Sequence, residues 1–190
     1  MQEFLRGKIV LFYYTVVMNN DSNNNSTIIG FREWVGLPFL GLAAIKAKID
    51  TGAKTSSLHA FDIFLEDGPN KKTYVLFKVH PLQNELGLVV SCRALLVDRR
   101  VVTDSGGHRE ERYVIRTTMT LSGIKKRVEL TLTNRETMKY RMLIGRSALK
   151  QFYIDPSQSY LAGKTLKQKR FLKELKQQLS GKAGQKLRQS

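Results

Sequence analysis

Cysteine occurs once in the 190 residues, as Cys92, so no disulfide forms within the chain. A lone thiol fits a reducing compartment, although exported proteins without disulfides exist as well. Histidine is scarce too. His59, His80 and His108 stand apart, with no His-Glu-x-x-His run and no paired cysteines, so no metal site of ordinary spacing is expected. A phosphate-binding P-loop is also missing: Gly163-Lys164-Thr165 copies its ending, but Gln158 occupies the position where its first glycine belongs. No cofactor is therefore expected. Long apolar runs are absent. Ile9 to Met18 gives only ten residues, too few to span a bilayer as a helix, and Val16 to Asn20 offers no small-residue cleavage site. Residues 1–18 read as a dispensable extension, with Met18 an alternative start and a cytoplasmic protein expected. Export, with those residues as a signal, is the alternative. Acidic residues are the largest deficit, 16 against 32 Lys and Arg, which leaves a net charge of +16 and a pI near 10.1. Such a balance asks for an acidic partner, whether nucleic acid, an anionic surface or an acidic peptide. The interleaved aromatics of a single-strand binder are lacking.

What is present fits one domain with tails. Asn19 to Thr27 is rich in Asn, Ser and Asp and reads as a linker, so residues 1–27 form an extension expected to be disordered. The folded part is placed at 28–162. Leu58 to Leu65 and Thr73 to Val79 read as paired strands around Asp67-Gly68-Pro69-Asn70. Tyr113 to Leu121 and Ile124 to Leu132 alternate apolar with polar residues about a Ser122-Gly123 turn. The reading is all-β, with one short helix at Gly145 to Gln151. Beyond residue 162 the composition changes. From Lys164 onward stand nine Lys or Arg and one acid, Glu174, so this basic tail carries 9 − 1 = +8. Phe171, Leu172, Leu175 and Leu179 repeat at helical spacing, which makes Thr165 to Leu179 a candidate basic amphipathic helix.

The most informative stretch is Asp50-Thr51-Gly52-Ala53. It follows Ile45 to Ile49, which alternate like a half-buried strand. A strand entering Asp-Thr-Gly carries a carboxylate onto a tight turn, where glycine lets the backbone pass close by and Ala53 leaves the acid uncovered. Alone this motif is weak. Two further stretches give it context. Leu143-Ile144-Gly145-Arg146 closes a β-rich segment, and Asp104-Ser105-Gly106-Gly107 lies between two strand-like runs.

In that order the three stretches resemble the retropepsins, the single-domain aspartic proteases. Asp50 to Ala60, together with Leu130 to Arg135, is similar to the RimB-type bacterial branch, also labelled "ATP-dependent zinc proteases". The resemblance covers roughly Ile28 to Leu161 and implies a single-lobe barrel with a flap hairpin. It implies that Asp50, Thr51 and Gly52 are catalytic, and that Ala53, Lys54, Ser105, Gly106, Gly107 and Arg109 meet substrate. Ile144, Gly145 and Arg146 would then support the Asp-Thr-Gly loop from beneath.

Aspartic proteases hold two carboxylates over one water. Asp62, Asp67, Asp98, Asp104 and Asp155 lack the continuation of a second motif, so a homodimer bringing two copies of Asp50 together is expected. Viral retropepsins carry an aspartate where this chain has Lys54, so Arg146 needs another acid or a backbone carbonyl. Glu110 and Glu111 are candidates. Lys54, Arg109 and one or more of Arg93, Arg99 and Arg112 are candidates to line a basic cleft. Resemblance to the RimB type implies a substrate: the glutamate tail that a ligase adds to a small-subunit ribosomal protein. The competing reading is a catalytically idle, basic module that binds the ribosome or nucleic acid, with the tail as its docking element.

Overall fold

The computed structural model describes residues 27–83, 85–103, 107, 109–134, 140–165 and 168–177. The N-terminal extension therefore lies outside the described residues, apart from Thr27. The described residues form eleven strands: β1 (Thr27–Gly30), β2 (Arg32–Leu37), β3 (Leu42–Asp50), β4 (Ser56–His59), β5 (Phe61–Asp67), β6 (Thr73–Val79), β7 (Val90–Thr103), β8 (Arg109–Leu121), β9 (Ile124–Thr133), β10 (Met142–Gly145) and β11 (Phe152–Asp155). One short helix, α1 (Arg146–Leu149), follows β10 directly, where the sequence places it. A second helix, α2, covers 168–177, within the stretch whose apolar spacing predicts it; Gln178 and Leu179 lie outside the described residues.

Six strands close into a ring in the order β2-β3-β10-β4-β9-β8. The ring shuts where Val35 and Gly36 of β2 pair with Leu121 and Thr120 of β8. Closure removes the open edges that a flat sheet of this size would expose. The interior is filled by residues with no solvent contact, among them Leu42, Ile45, Leu58, Ile115, Leu121, Leu130 and Ile144. Each such side chain contributes about 1.5–3 kcal/mol from burial. The β8–β9 hairpin turns on Ser122 and Gly123, both at positive φ (51° and 81°), as a two-residue hairpin that matches strand twist requires.

Outside the ring, β7, β6 and β5 extend the sheet from β8. β7 serves two partners in turn. Val90 to Leu95 pair with β6, and Leu96 to Thr103 pair with β8 to make a long hairpin. β1 and β11 form a separate parallel pair. The segment after β11 folds back along β2. Phe31 donates to the Gln158 carbonyl, Tyr160 donates to that of Arg32, and the buried Glu33 carboxylate accepts from the Gly30 (2.7 Å) and Ala162 (3.3 Å) amides.

Helix α2 is docked on this framework. Phe171 and Leu175 are buried against Trp34, Ala44 and Leu88, while Lys169, Arg170, Lys173 and Lys176 remain exposed. Lys46 and Lys164 place their ammonium groups 5.4 and 4.9 Å from the Trp34 ring. Gly163-Lys164-Thr165 thus belongs to the link between barrel and helix. No helix among the described residues is long and apolar enough to cross a membrane.

Candidate active site

Strand β3 ends at Asp50, and the chain turns through Thr51 to Thr55 before re-entering the ring as β4. Into the gap between β3 and β4 runs β10, parallel to the first and antiparallel to the second. Ile144 lies opposite Ile49, and Gly145 lies opposite Asp50. The Leu-Ile-Gly run therefore passes beneath the Asp-Thr-Gly turn.

The turn is held from within and from below. One oxygen of the half-buried Asp50 carboxylate, Oδ1, accepts from the amides of Gly52 and Ala53, both at 3.2 Å. These two bonds orient the carboxylate on its own turn. From below, the Arg146 amide donates to the Ala53 carbonyl at 2.9 Å, and the Ser147 amide donates to that of Lys54 at 3.1 Å. Ser147 Oγ reinforces the second contact at 2.9 Å. Gly145 donates to Ser56 Oγ at 3.1 Å.

Arg146 answers the question left by Lys54. Its Nη1 donates to the carbonyls of Thr51 (2.7 Å) and Gly52 (2.8 Å), so a backbone partner takes the place of an acid. Glu110, one of the two acids considered for it, is engaged elsewhere: it pairs with Arg112 at 2.7 Å and accepts from Thr133. Sequence reasoning did not single out Ser56 or Ser147. Their signal was position alone, small hydroxyls directly after the turn and directly after Gly-Arg.

Thr51, Gly52 and Lys54 are exposed, and Ala53 is half-buried. Asp104, Ser105 and Gly106 of the hairpin tip lie outside the described residues. Gly107 is exposed with φ of 80°, a backbone region that favours glycine, and Arg109 is exposed at the start of β8, opposite Thr103. Two of the other arginines considered for a basic cleft are committed to acids. Arg112 is buried and ion-paired to Glu110, so it does not line an open cleft. Arg93 pairs with Glu66 and lies 3.6 Å from the Tyr74 ring centre, on the β5–β7 extension. Arg99 stacks on Tyr113 at 5.3 Å.

Among the described residues, no three or more of His, Cys, Asp and Glu gather as a metal-binding group. His80 Nδ1 contacts the Leu88 carbonyl at 3.1 Å, and its ring stacks on Phe61, with centroids 4.4 Å apart.

Comparison with known proteins agrees with this geometry. A Legionella pneumophila protein of unknown function has a solved structure with a TM-score of 0.61 at 26% identity, covering 72% of this chain and 98% of that one. A Shewanella pealeana protein named "Probable alpha-L-glutamate ligase" is 46% identical over 139 residues, which are 72% of this chain and 30% of the relative. A protein of the same name from Desulfotalea psychrophila is 44% identical over 144 residues, again 30% of its length. The chain thus matches less than a third of each of these longer relatives. The family profile described as "Retropepsin-like aspartic endopeptidase RimB" matches residues 28–165, which include the Asp-Thr-Gly turn, the hairpin and the supporting strand, and the chain belongs to this RimB-like family.

Proposed function

We propose that this chain is a homodimeric aspartic peptidase that hydrolyses peptide bonds in glutamate-rich tails, such as that of a glutamylated small-subunit ribosomal protein. The carrying observation is the Asp50 turn, fixed by its own amides and braced by Gly145, Arg146 and Ser147. A carboxylate held this way on an accessible turn is suited to work on substrate.

One Asp50 is half of the machinery. In a two-fold dimer the second copy supplies the other carboxylate, and the pair shares one proton because both cannot ionise side by side. The ionised carboxylate takes a proton from water, whose oxygen attacks the scissile carbonyl carbon. The protonated carboxyl gives its proton to the carbonyl oxygen, forming a tetrahedral diol. Collapse breaks the C–N bond as one carboxyl gives its proton to the leaving nitrogen and the other, now ionised, takes a proton from a diol hydroxyl, which re-forms the carbonyl and restores the shared proton of the dyad. Thr51 and Gly52 keep the turn tight, Ala53 and Lys54 border the cleft, and the hairpin carrying Ser105, Gly106, Gly107 and Arg109 covers it.

The substrate class draws support from charge and kinship. A chain of net charge +16 with exposed Lys54 and Arg109 favours a polyanionic peptide. The curated relatives are named glutamate ligases, and the stretch they share with this chain is under a third of their length. A peptidase unit beside ligase machinery, acting on the same kind of glutamyl chain, reconciles the two descriptions. The basic face of α2 is then a docking element for a ribosome or another anionic assembly.

The test is incubation of an oligoglutamylated peptide with wild type and with Asp50→Asn, read by mass spectrometry. Removing the acid–base group should cost at least ~10²–10⁴ in rate. Excess Asp50→Asn mixed into wild type should also poison activity through heterodimers. Equal turnover by the pure variant, or none by wild type, would leave the idle basic module as the better reading.

A further inference from the structure

The β7 strand changes partners at one point, and that point is concave. Its pairing with β6 ends at Tyr74 and Leu95, and its pairing with β8 begins at Leu96 and Ile115. The register with β8 slips between Leu96 and Asp98, a bulge of the kind that bends a strand locally. A basin of about 390 Å³ opens there, lined by Lys71, Lys72 and Thr73 on one side and Leu95 to Arg99 on the other. Past Leu95, the edge of β7 that faced β6 pairs with no strand among the described residues.

Charge in this basin is one-sided. Lys71, Lys72 and Arg99 are its cations, and Asp98 is its one acid. That acid is already committed, since it accepts from the Arg99 amide at 2.8 Å and pairs with Arg100 at 2.6 Å. The cations are also placed by the backbone. Asn70 and Lys71 both sit at positive φ (58° and 55°), which bends the β5–β6 connection sharply. Arg99 rests over the Tyr113 ring.

We propose that this basin is a second binding site for a carboxylate-rich peptide, distinct from the cleft at Asp50; the proposal rests on the acidic-peptide reading above. The peptide adds as a strand to the free edge of β7, and its carboxylates pair with Lys71, Lys72 and Arg99. Main-chain bonds to an open edge supply affinity, and side-chain pockets supply selectivity. The same edge runs from the basin to Thr103, opposite Arg109, about 26 Å at 3.3 Å per residue. A long acidic tail held in the basin is thereby led along the hairpin towards its tip, whereas a short peptide reaches only one end.

The experiment reads binding rather than turnover. Lys71→Gln/Lys72→Gln and Arg99→Gln are each made in full-length Asp50→Asn protein, so bound peptide is not consumed. Three labelled probes are titrated by fluorescence anisotropy at low and high salt: an oligoglutamate peptide, a matched oligoglutamine peptide, and a single-stranded oligonucleotide of equal charge. The oligoglutamate peptide should bind at least about fivefold more weakly to either variant at low salt, as expected for loss of partly exposed ion pairs. Its loss should exceed that of the other two probes, and Lys71→Arg/Lys72→Arg should keep the parental affinity. Unchanged oligoglutamate affinity would overturn the proposal. So would an equal or larger loss for the oligonucleotide, which would mark a phosphate-binding surface instead. Because turnover is not read, a failure of the peptidase reading leaves this result interpretable. Wild type that cleaves oligoglutamate, alongside basin variants that bind it like their parent, would refute the basin alone.

Discussion

Gly145 lies opposite Asp50 in the parallel register of β10 and β3, and its place admits no side chain. A Cβ there would stand 2.6 Å from the carbonyl carbon of Thr55, 2.8 Å from its oxygen and 2.9 Å from the Lys54 oxygen. All three atoms are backbone of the turn that carries Asp50, so nothing flexible can yield.

Gly145→Ala should therefore push the Asp50 turn away from its support. Overpacking of this kind costs about 1–3 kcal/mol. A lowered urea midpoint together with a loss of peptide turnover is expected. Ser56→Ala removes the acceptor of the Gly145 amide without adding bulk, leaving a buried donor unmet at a cost of about 1–3 kcal/mol. Denaturation curves for both variants that overlay wild type would show that the close fit beneath the turn does not matter.

Arg146 offers a separable test, because its side chain is exposed and, among the described residues, bonds only to the turn. Arg146→Ala should change global stability by less than about 1 kcal/mol. Turnover should fall far more, since the Thr51 and Gly52 carbonyls lose their shared donor. Arg146→Lys keeps the charge but not the planar fork, so partial activity is expected. Measuring kcat and KM beside the urea midpoint separates positioning from folding; a proportional loss of stability and activity would contradict the positioning role.

Much of this arrangement was legible in the sequence because it is local or periodic. Alternation in Ile45 to Ile49, the Ser122-Gly123 turn and the Leu-Ile-Gly-Arg run each signal their structure within a few residues. The partner of Arg146 was not legible. Backbone carbonyls are present everywhere in a chain, so a side chain that binds them leaves no compositional trace. That Arg112, one of three candidates for the cleft, is instead buried in an ion pair had a signal in the sequence. Glu110 is two positions away in a strand and hence on the same face, where opposite charges pair. Closure of the ring between Val35 and Leu121 joins residues far apart in the chain, which periodicity does not reach. The docking of α2 was half legible: Phe171 and Leu175 announce an apolar face, but nothing near them names Trp34 as its cover.

Cys92 should be chemically silent in the folded protein. It is buried, its thiol donates to the Leu40 carbonyl at 3.3 Å, and burial pushes its pKa up to about 12. The thiolate is the reactive form, and an ordinary cysteine reaches it near pH 8.5. Alkylation by iodoacetamide at pH 8 should be slow in buffer and fast in denaturant, measured by intact mass. Rapid labelling of the native protein would mean that β7 opens readily around this residue.

Substrate charge gives the most direct check on the cleft itself. Lys54 follows the Asp50 turn and Arg109 begins the strand after the hairpin tip, both exposed. Lys54→Glu and Arg109→Glu should each lower kcat/KM for a glutamate-rich peptide more than for its glutamine counterpart. Ion pairs that solvent reaches are screened over about 10 Å at 0.1 M ionic strength, so the difference should shrink as salt rises. Removal of residues 164–190 is expected to act differently. It deletes a helix that buries Phe171 and Leu175 on Trp34, so some stability is lost with the +8 charge. If α2 is the docking element proposed above, binding to an anionic assembly such as the ribosome should weaken more than cleavage of short peptides, once both are measured below the unfolding temperature of the truncated protein. Should both point variants treat the two peptides alike at every salt concentration, Lys54 and Arg109 do not read substrate charge, and selectivity for acidic tails must arise elsewhere on the protein.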